Sequence, residues 1–404
     1  MDISVGLSTE KDPVSAAIEA TKLASIKIHE EKISLAIVFS SIDLSYPKLL
    51  KTITISLERP VPIVGCSGAA IISNQGVFKH GVVVMLLSFS KDVYFKSACV
   101  KNIKTKTALK AGIELGDSLL YGFKNAHRLL SLIFSDGLID EGSNLIAGLQ
   151  GRLGKSFPLV GASAADDMRF LKTYLYFNQE LLKDSAIGIL WGGKLNFGLG
   201  IKHGWKPLGK PRTVTKSRGN IVYEIDGAAA IKIYEEYLNR NPAELKKDLR
   251  RISVLYPIGI YIPGEEEYLL RNILSMEDNG SLRCQGNVNE GSSVRLMIGT
   301  RESCLNATRA AVNEAKKRLL DANIGFKKRQ GMKNFVLVLE SASRYILLRR
   351  EINKELEIIK KGLGEDTPII GLCTYGEQAP LRAISYQGQA YFHNQTIAIL
   401  TIGG

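Results

Sequence analysis

Three times along the chain a short apolar strand pattern gives way to small polar residues, then to an amphipathic helical pattern, then to a second apolar strand. The first strand patterns are Leu35–Phe39 (LAIVF), Leu129–Phe134 (LLSLIF) and Phe335–Leu339 (FVLVL). They end in Ser40 and Ser41, Ser135 and Asp136, and Glu340 and Ser341. Apolar residues then recur at three- and four-residue spacing near Tyr46–Leu57, Ser143–Leu153 and Leu348–Leu363, which predicts helices. A proline, two aliphatics and a glycine come next: Pro62–Gly65, Pro158–Gly161 and Pro368–Gly371. Small polar residues follow: Cys66 and Ser67, Ala162 and Ser163, Cys373 and Thr374. A hairpin closes each unit. NQGVFKHGVVVML from Asn74 aligns with NQELLKDSAIGIL from Asn178, and the third hairpin, Gln387–Leu400, is longer.

A strand–helix–strand order implies a right-handed parallel crossover, and a trailing hairpin adds antiparallel strands. The fold class expected is therefore mixed α/β, with repeated β-α-β plus hairpin units and helices covering the sheets. Proline suits the start of a buried strand, and the glycine permits a sharp turn or a close approach at its carboxyl end. Two further helices are expected at Val14–Glu30 and Asn306–Leu320. Lys202–Arg218 is basic and rich in glycine and proline, so it reads as a linker. After it, Ile221–Gly227 reads as a strand and turn, and Ala228–Leu238 as a helix. The boundary is placed near residue 220, giving domains 1–220 and 221–404, and a length of 404 residues suits two cores.

Composition narrows the class. Hydrophobic residues make up 45% and charged residues 23%, as in soluble globular proteins. The start of the chain lacks a leader pattern, and the longest apolar run, Val82–Leu87, is far too short to span a bilayer. Five scattered cysteines without a CxxC pair argue against a disulfide framework or zinc knuckle and suit the cytoplasm. The net charge of +13 is spread over Lys246–Arg251, Lys316–Arg318, Lys327–Arg329 and Arg349–Lys361 without interleaved aromatics. These runs read as solvated helix faces rather than a nucleic-acid surface.

Several short motifs fail on inspection. Gly154-Lys155-Ser156 lacks the upstream glycine of a phosphate loop and follows a helix, so Gly154 reads as a helix terminator. Gly65-Cys66-Ser67-Gly68 misses the spacing of a nucleophile elbow. Cys66 and Cys373 hold related places in their units, which suggests a thiol nucleophile, but no histidine lies nearby in sequence. Gly198-Leu199-Gly200 lacks the third glycine of a dinucleotide fingerprint, and His203 and His393 have no second metal ligand at a metal-binding spacing.

Several stretches in order resemble one family. They are Val5–Thr9 before an alanine-rich helix, Ile63–Ser67, Gly161–Asp167, Gly204-Trp205 with Pro207, and Asp226-Gly227 with Tyr234–Leu238. In the second half they are Glu267–Ile273 with Arg271, Gly280–Gly291, the run GLCTYGE at Gly371–Glu377, and FHNQT at Phe392–Thr396. In order and spacing they are similar to FIST proteins (F-box and intracellular signal transduction), and Ala229 stands where proline is usual. The resemblance implies a sensory module that is not an enzyme and binds a small, amino-acid-like ligand. It implies no resident cofactor and a separate output protein as partner. A haem-binding nitric-oxide sensor, with His203 or His393 as axial ligand, is the alternative.

In sheets of this kind, ligands bind beyond the carboxyl ends of the parallel strands. That points to Ser40, Ser41, Asp136, Gly65, Ser67, Gly161, Ser163, Cys373, Tyr375, Gly376 and Glu377. Glu377 suits an amine and Arg271 a carboxylate, with Asn394 expected beside Glu377 at the mouth of a concave site. The same residues also suit turns, a capped loop and a structural ion pair, so both readings stand here. The ligand is expected in a cleft where the two domains meet.

Overall fold

A computed structural model describes residues 1–28, 33–123, 127–322, 333–381 and 389–403. Glu30, Lys327–Arg329 and Gln387 lie outside the described residues. The repeat read from the sequence is present as three six-stranded sheets. Each sheet is centred on a parallel pair: Leu35–Ser41 with Ile63–Gly68, Arg128–Ser135 with Leu159–Ser163, and Asn334–Ser341 with Ile369–Thr374. The crossover helices are Pro47–Ser56, Gly142–Leu153 and Ile352–Leu363. Each unit opens with a further strand and helix: Asp2–Ser8 and Pro13–Ser25, Val93–Lys101 and Ala108–Leu120, Asn196–Lys202 and Arg301–Ala322. Asp12 caps the first of these helices by accepting the Val14 and Ser15 amides, and Pro13 sits where its missing N–H costs nothing.

The glycine of each Pro-x-x-Gly lies within its strand and not at a turn. Gly65, Gly161 and Gly371 oppose Val38, Ile133 and Val338 at the same register position of the three parallel pairs. A Cβ at these glycines would stand 1.7, 2.2 and 2.4 Å from the carbonyl oxygens of those partners, so the glycine permits close strand approach. Gly198 and Gly200 have the same role against a helix: their Cβ atoms would meet the Ala315 and Ala311 carbonyl oxygens.

The expected hairpins are split: their second strands, Val82–Ser88, Ser185–Gly193 and Ile397–Gly403, return to their own sheets, and the hairpins form one strand earlier and do not stay with theirs. Ile71–Ser73 and Gly76–Phe78, from the first unit, pair with Ile369–Thr374 of the third. Leu175–Phe177 and Glu180–Leu182, from the second, pair with Ile63–Gly68 of the first. Gly376–Pro380 and Ala390–His393, from the third, pair with Leu159–Ser163 of the second. The units thus close a ring by cyclic exchange. The repeated Asn-Gln pins it: the Asn74 amide oxygen accepts the Ile369 N–H at 2.8 Å, and that of Asn178 the Ile63 N–H at 3.3 Å. The inner faces of the three sheets share one apolar core, in which Phe39 and Phe134 meet edge to face at 5.4 Å.

The third unit is interrupted. Between Asn196–Lys202 and the helix Arg301–Ala322 stands an antiparallel sheet with its own core around Val214, Tyr234, Leu249 and Leu296. Its strand order is Leu269–Arg271, Ile258–Ile260, Ser293–Ile298, Lys206–Arg218, Ile221–Ile225, Leu282–Cys284 and Ile273–Met276, with Ala228–Ala229 beside Ile221–Ile225. Helices Lys232–Leu238 and Pro242–Leu255 cover it. The supposed linker Lys202–Arg218 is mostly its long central strand, and residue 220 lies in the turn of a hairpin within that sheet. The chain therefore does not part at residue 220 in space.

Candidate functional site

The inserted sheet leans against the ring and leaves a cleft of about 510 Å³ at the junction. One wall comes from the end of helix Pro242–Leu255 and the strand Ile273–Met276. The other is the short helix Ala342–Leu348, which contributes Ser343, Ile346 and Leu347. Met168 and Phe170, from the second unit, complete the apolar side. Polar groups are supplied by Ser253, Asn272, Gln285 and Ser343. Arg250, Arg251, Arg301 and Arg349 also line it. None of these arginines was singled out from the sequence, where Arg250, Arg251 and Arg349 belonged to runs read as solvated faces.

The loop carrying Met168 and Phe170 is shaped by Asp166. Its carboxylate accepts the amides of Arg169, Phe170, Leu171 and Lys172 at 2.8–3.2 Å, and the Tyr375 hydroxyl. Burial pushes the Asp166 carboxyl up, but the Tyr375 hydroxyl and the Leu171, Phe170 and Lys172 amides outweigh it and hold it below the usual range. Met168 and Phe170 take positive φ, at 71° and 57°, a strained conformation that these bonds sustain. The Phe170 ring stacks on Tyr375 with centroids 4.2 Å apart, and the Arg250 guanidinium lies 5.4 Å over Phe170.

The residues expected to touch ligand stand mostly behind this cleft. Tyr375 braces Phe170, and its carbonyl accepts from Gln285. Asn394 accepts the Asn272 N–H at 3.2 Å, while Asn272 donates to Ser343 and Gln285. Gln395, fully buried, donates to Asn272 and to the Ser253 carbonyl, and its Oε1 has no partner among the described residues. Gly376 is glycine because a Cβ would meet the Phe392 ring at 2.4 Å. Arg271 makes no ion pair among the described residues. It is buried and donates to the carbonyls of Leu270, Asn287 and Phe392, and burial pulls it down to about 10.

Glu377 is also fully buried and accepts from Thr374 Oγ1 and from the Thr396 hydroxyl and amide. Burial pushes its carboxyl up to about 7 against those bonds. No hydrogen bond joins Glu377 to Asn394 among the described residues; Thr396 is the nearer polar link.

The strand-end hydroxyls knit the ring together. Ser67 Oγ donates to the Ala165 carbonyl at 2.8 Å and accepts the Tyr174 amide. Ser163 Oγ meets Ser135 Oγ and accepts from Gln378, both at 3.0 Å. Ser40 meets the Tyr176 hydroxyl at 2.6 Å, Ser41 the Gly81 backbone, and Asp136 accepts from Thr173 and the Leu138 and Asp184 amides. Ser40, Ser67 and Ser163 are thus engaged across unit boundaries, and Ser41 and Asp136 within their own units.

Cys66 and Cys373 are fully buried, and burial pushes both thiols well up, so neither is poised as a nucleophile. Their places also differ: Cys373 aligns with Ser67 and Ser163, Cys66 with Ala162. His203 Nδ1 accepts the Trp205 amide at 2.8 Å, and Nε2 faces Glu267 Oε2 at 2.8 Å without the alignment of a full hydrogen bond. His393 Nε2 bonds the Ala379 carbonyl at 2.8 Å, and burial pulls the ring down to about 3. Both imidazoles are buried, with His203 Nδ1 and His393 Nε2 each engaged by the backbone.

Comparison with known proteins bears on what this architecture is. The FIST N domain matches residues 34–228 and the FIST C domain 230–380. An uncharacterized protein of Methanocaldococcus jannaschii is 29% identical over 307 residues, 71% of this chain; the chain spans 58% of that relative's length. An uncharacterized protein of Mycobacterium tuberculosis is 24% identical over 80% of the chain and 84% of its own length. Among solved structures, the cyanuric acid hydrolase from A. caulinodans covers 98% of both chains at 8% identity and a TM-score of 0.39. A second cyanuric acid hydrolase covers 65% of this chain and 82% of its own at 9% identity and 0.30.

The expectation that the chain is not an enzyme is corrected here, because these structural neighbours are hydrolases; at such TM-scores the likeness assigns this chain no reaction. No helix among the described residues is long and apolar enough to cross a membrane. With the two domain matches covering most of its length, the chain belongs to the FIST family, whose domains are sensory modules of signal transduction.

Proposed function

We propose that the protein senses a small organic acid in the cleft between the ring and the inserted sheet, and passes the signal to a separate output protein. The observation that carries this is the lining itself: convergent arginines over a polar floor and an apolar wall, in a volume typical of small-molecule sites. An amino-acid-like ligand, as the family resemblance implies, would give its carboxylate to the arginines. Its ammonium would have the side-chain oxygens of Ser253, Asn272, Gln285 and Ser343, and among the described lining residues no carboxylate. The described cysteines are free, which supports a reducing, cytoplasmic setting for this role.

The test is a thermal-shift screen of small acids and amino acids on the wild type and on Ile346→Trp, which fills the cleft with an indole. Compounds that raise Tm in the wild type should lose their effect in the variant. Equal shifts in both would place the site elsewhere. Haem added to the purified protein is expected to give no shifted Soret band, and a six-coordinate spectrum would restore the haem reading.

A further inference from the structure

The charges around the cleft are unbalanced. Four arginines line it, and among the described residues no aspartate or glutamate does. Glu351 reaches one of them, Arg301, at 3.4 Å. Arg250 spends its Nε on the Leu274 carbonyl, and among the described residues its terminal nitrogens make no hydrogen bond. Arg251 and Arg349 have no ion-pair partner among the described residues. Arg349 also holds φ at 51° where the helix Ala342–Leu348 ends, an unfavourable conformation for a residue with a Cβ. Like charges gathered without counter-charge are an electrostatic cost that a bound anion removes. A single carboxylate engages one fork at a time, whereas this cleft offers several.

The other side of the cleft is apolar. Met168, Ile346 and Leu347 line it, with the edge of a Phe170 ring whose two faces are already taken by Tyr375 and Arg250. A volume of about 510 Å³ exceeds what one small amino acid fills and suits a body with a ring. Resting on the cleft reading above, we propose that the ligand is a dianion carried on an apolar or aromatic body, and not a zwitterion. Phosphate monoesters and dicarboxylates share this chemistry.

Calorimetry at low salt with phenyl phosphate, phthalate, benzoate and phenylalanine separates the alternatives, since the four probes share a ring and differ in charge. One or both dianions should bind about tenfold or more tightly than benzoate, and phenylalanine should bind least. Phenyl phosphate alone would assign a phosphate monoester and phthalate alone a dicarboxylate. Arg349→Ala and Arg251→Ala should each weaken the dianion about tenfold while changing benzoate little, and added salt should do the same. If benzoate or phenylalanine binds as tightly as the dianions, or neither dianion saturates at millimolar concentration, the ligand class is wrong while the cleft stands. If dianion binding survives both Ile346→Trp and Arg349→Ala unchanged, the cleft reading itself fails.

Discussion

Replacing Asp166 by asparagine removes one negative charge and no heavy atom, and it should loosen one wall of the cleft. The carboxylate holds the Arg169 and Phe170 amides and the Tyr375 hydroxyl on Oδ1, and the Leu171 and Lys172 amides on Oδ2. An asparagine offers one acceptor oxygen, so whichever way its amide turns, two backbone N–H groups face an NH2 donor. Unpaired donors at a partly buried site cost about 1–3 kcal/mol each, and relaxation of the loop recovers some of that, so a loss of about 2–4 kcal/mol is expected. The loss should be local, because the positive φ of Met168 and Phe170 depends on these bonds. Amide exchange at 169–172 should speed up by about tenfold or more, and the urea midpoint should fall. The wild type has an acid counterpart. The Asp166 carboxyl is held below its unfolded value, so its stabilisation is present at neutral pH and lost as pH falls through its folded value. Asp166→Asn should lack that acid loss. Unchanged protection of these four amides in the variant would refute the reasoning.

Two other outcomes are expected. Gly65→Ala, Gly161→Ala and Gly371→Ala should each destabilise by about 3 kcal/mol or more, since each Cβ would meet a carbonyl oxygen of the parallel partner strand; a variant with wild-type Tm would break the equivalence of the three units. Glu377 sits at about 7, above its unfolded value near 4.5, so the folded state binds the proton more tightly and stability should decline as pH rises from about 4.5 to about 7. Glu377→Gln should flatten that slope in urea titrations across the window; an identical slope in the variant would assign it to other groups.

The sequence made the units legible because their physics is local. Strand period, helix period and the Pro-x-x-Gly each report on a few neighbouring residues, and Gly154 ended its helix as expected, with φ at 121°. The exchange of hairpins was not legible, because Ile71–Phe78 has the same alternation whichever sheet receives it. Asn74 and Asn178 were visible as a repeat, but their role in pinning the next unit's strand exists only in three dimensions. Lys202–Arg218 looked like a linker because it is basic and carries Gly204, Pro207, Gly209 and Pro211; most of it is the largely exposed strand Lys206–Arg218, which shifts register between Leu208 and Arg212. The cleft arginines come from three separate segments of the chain, and each is ordinary in its own helix or loop. The motifs at Gly371–Glu377 and Phe392–Thr396 lie in the layer behind the cleft, with Tyr375 behind Phe170 and Asn394 behind Asn272.

Why there is a cleft on this side of the ring follows from what breaks its symmetry. Three equivalent units offer three equivalent strand ends, and Ser67 and Ser163 close two of them with hydrogen bonds across unit boundaries. Only the third unit carries an insertion, so only there does a second body stand over the ring. The chain crosses to that body twice, beside Gly204, whose φ is 94°, and Gly299, which lies against the Trp205 indole. On the ring side, Arg344 is buried, pairs with Glu340 and Glu355, and donates to the carbonyls of His203 and Cys304. That anchors both crossings near their base, one residue before Gly204 and within the helix that follows Gly299. The cleft has Arg250, Arg251 and Asn272 on the inserted body and Ser343, Ile346 and Arg349 on the ring. A ligand bridging them therefore interacts with both bodies at once, and its binding free energy depends on the angle between them. A ligand held by one body alone would have no such leverage, however tight its binding.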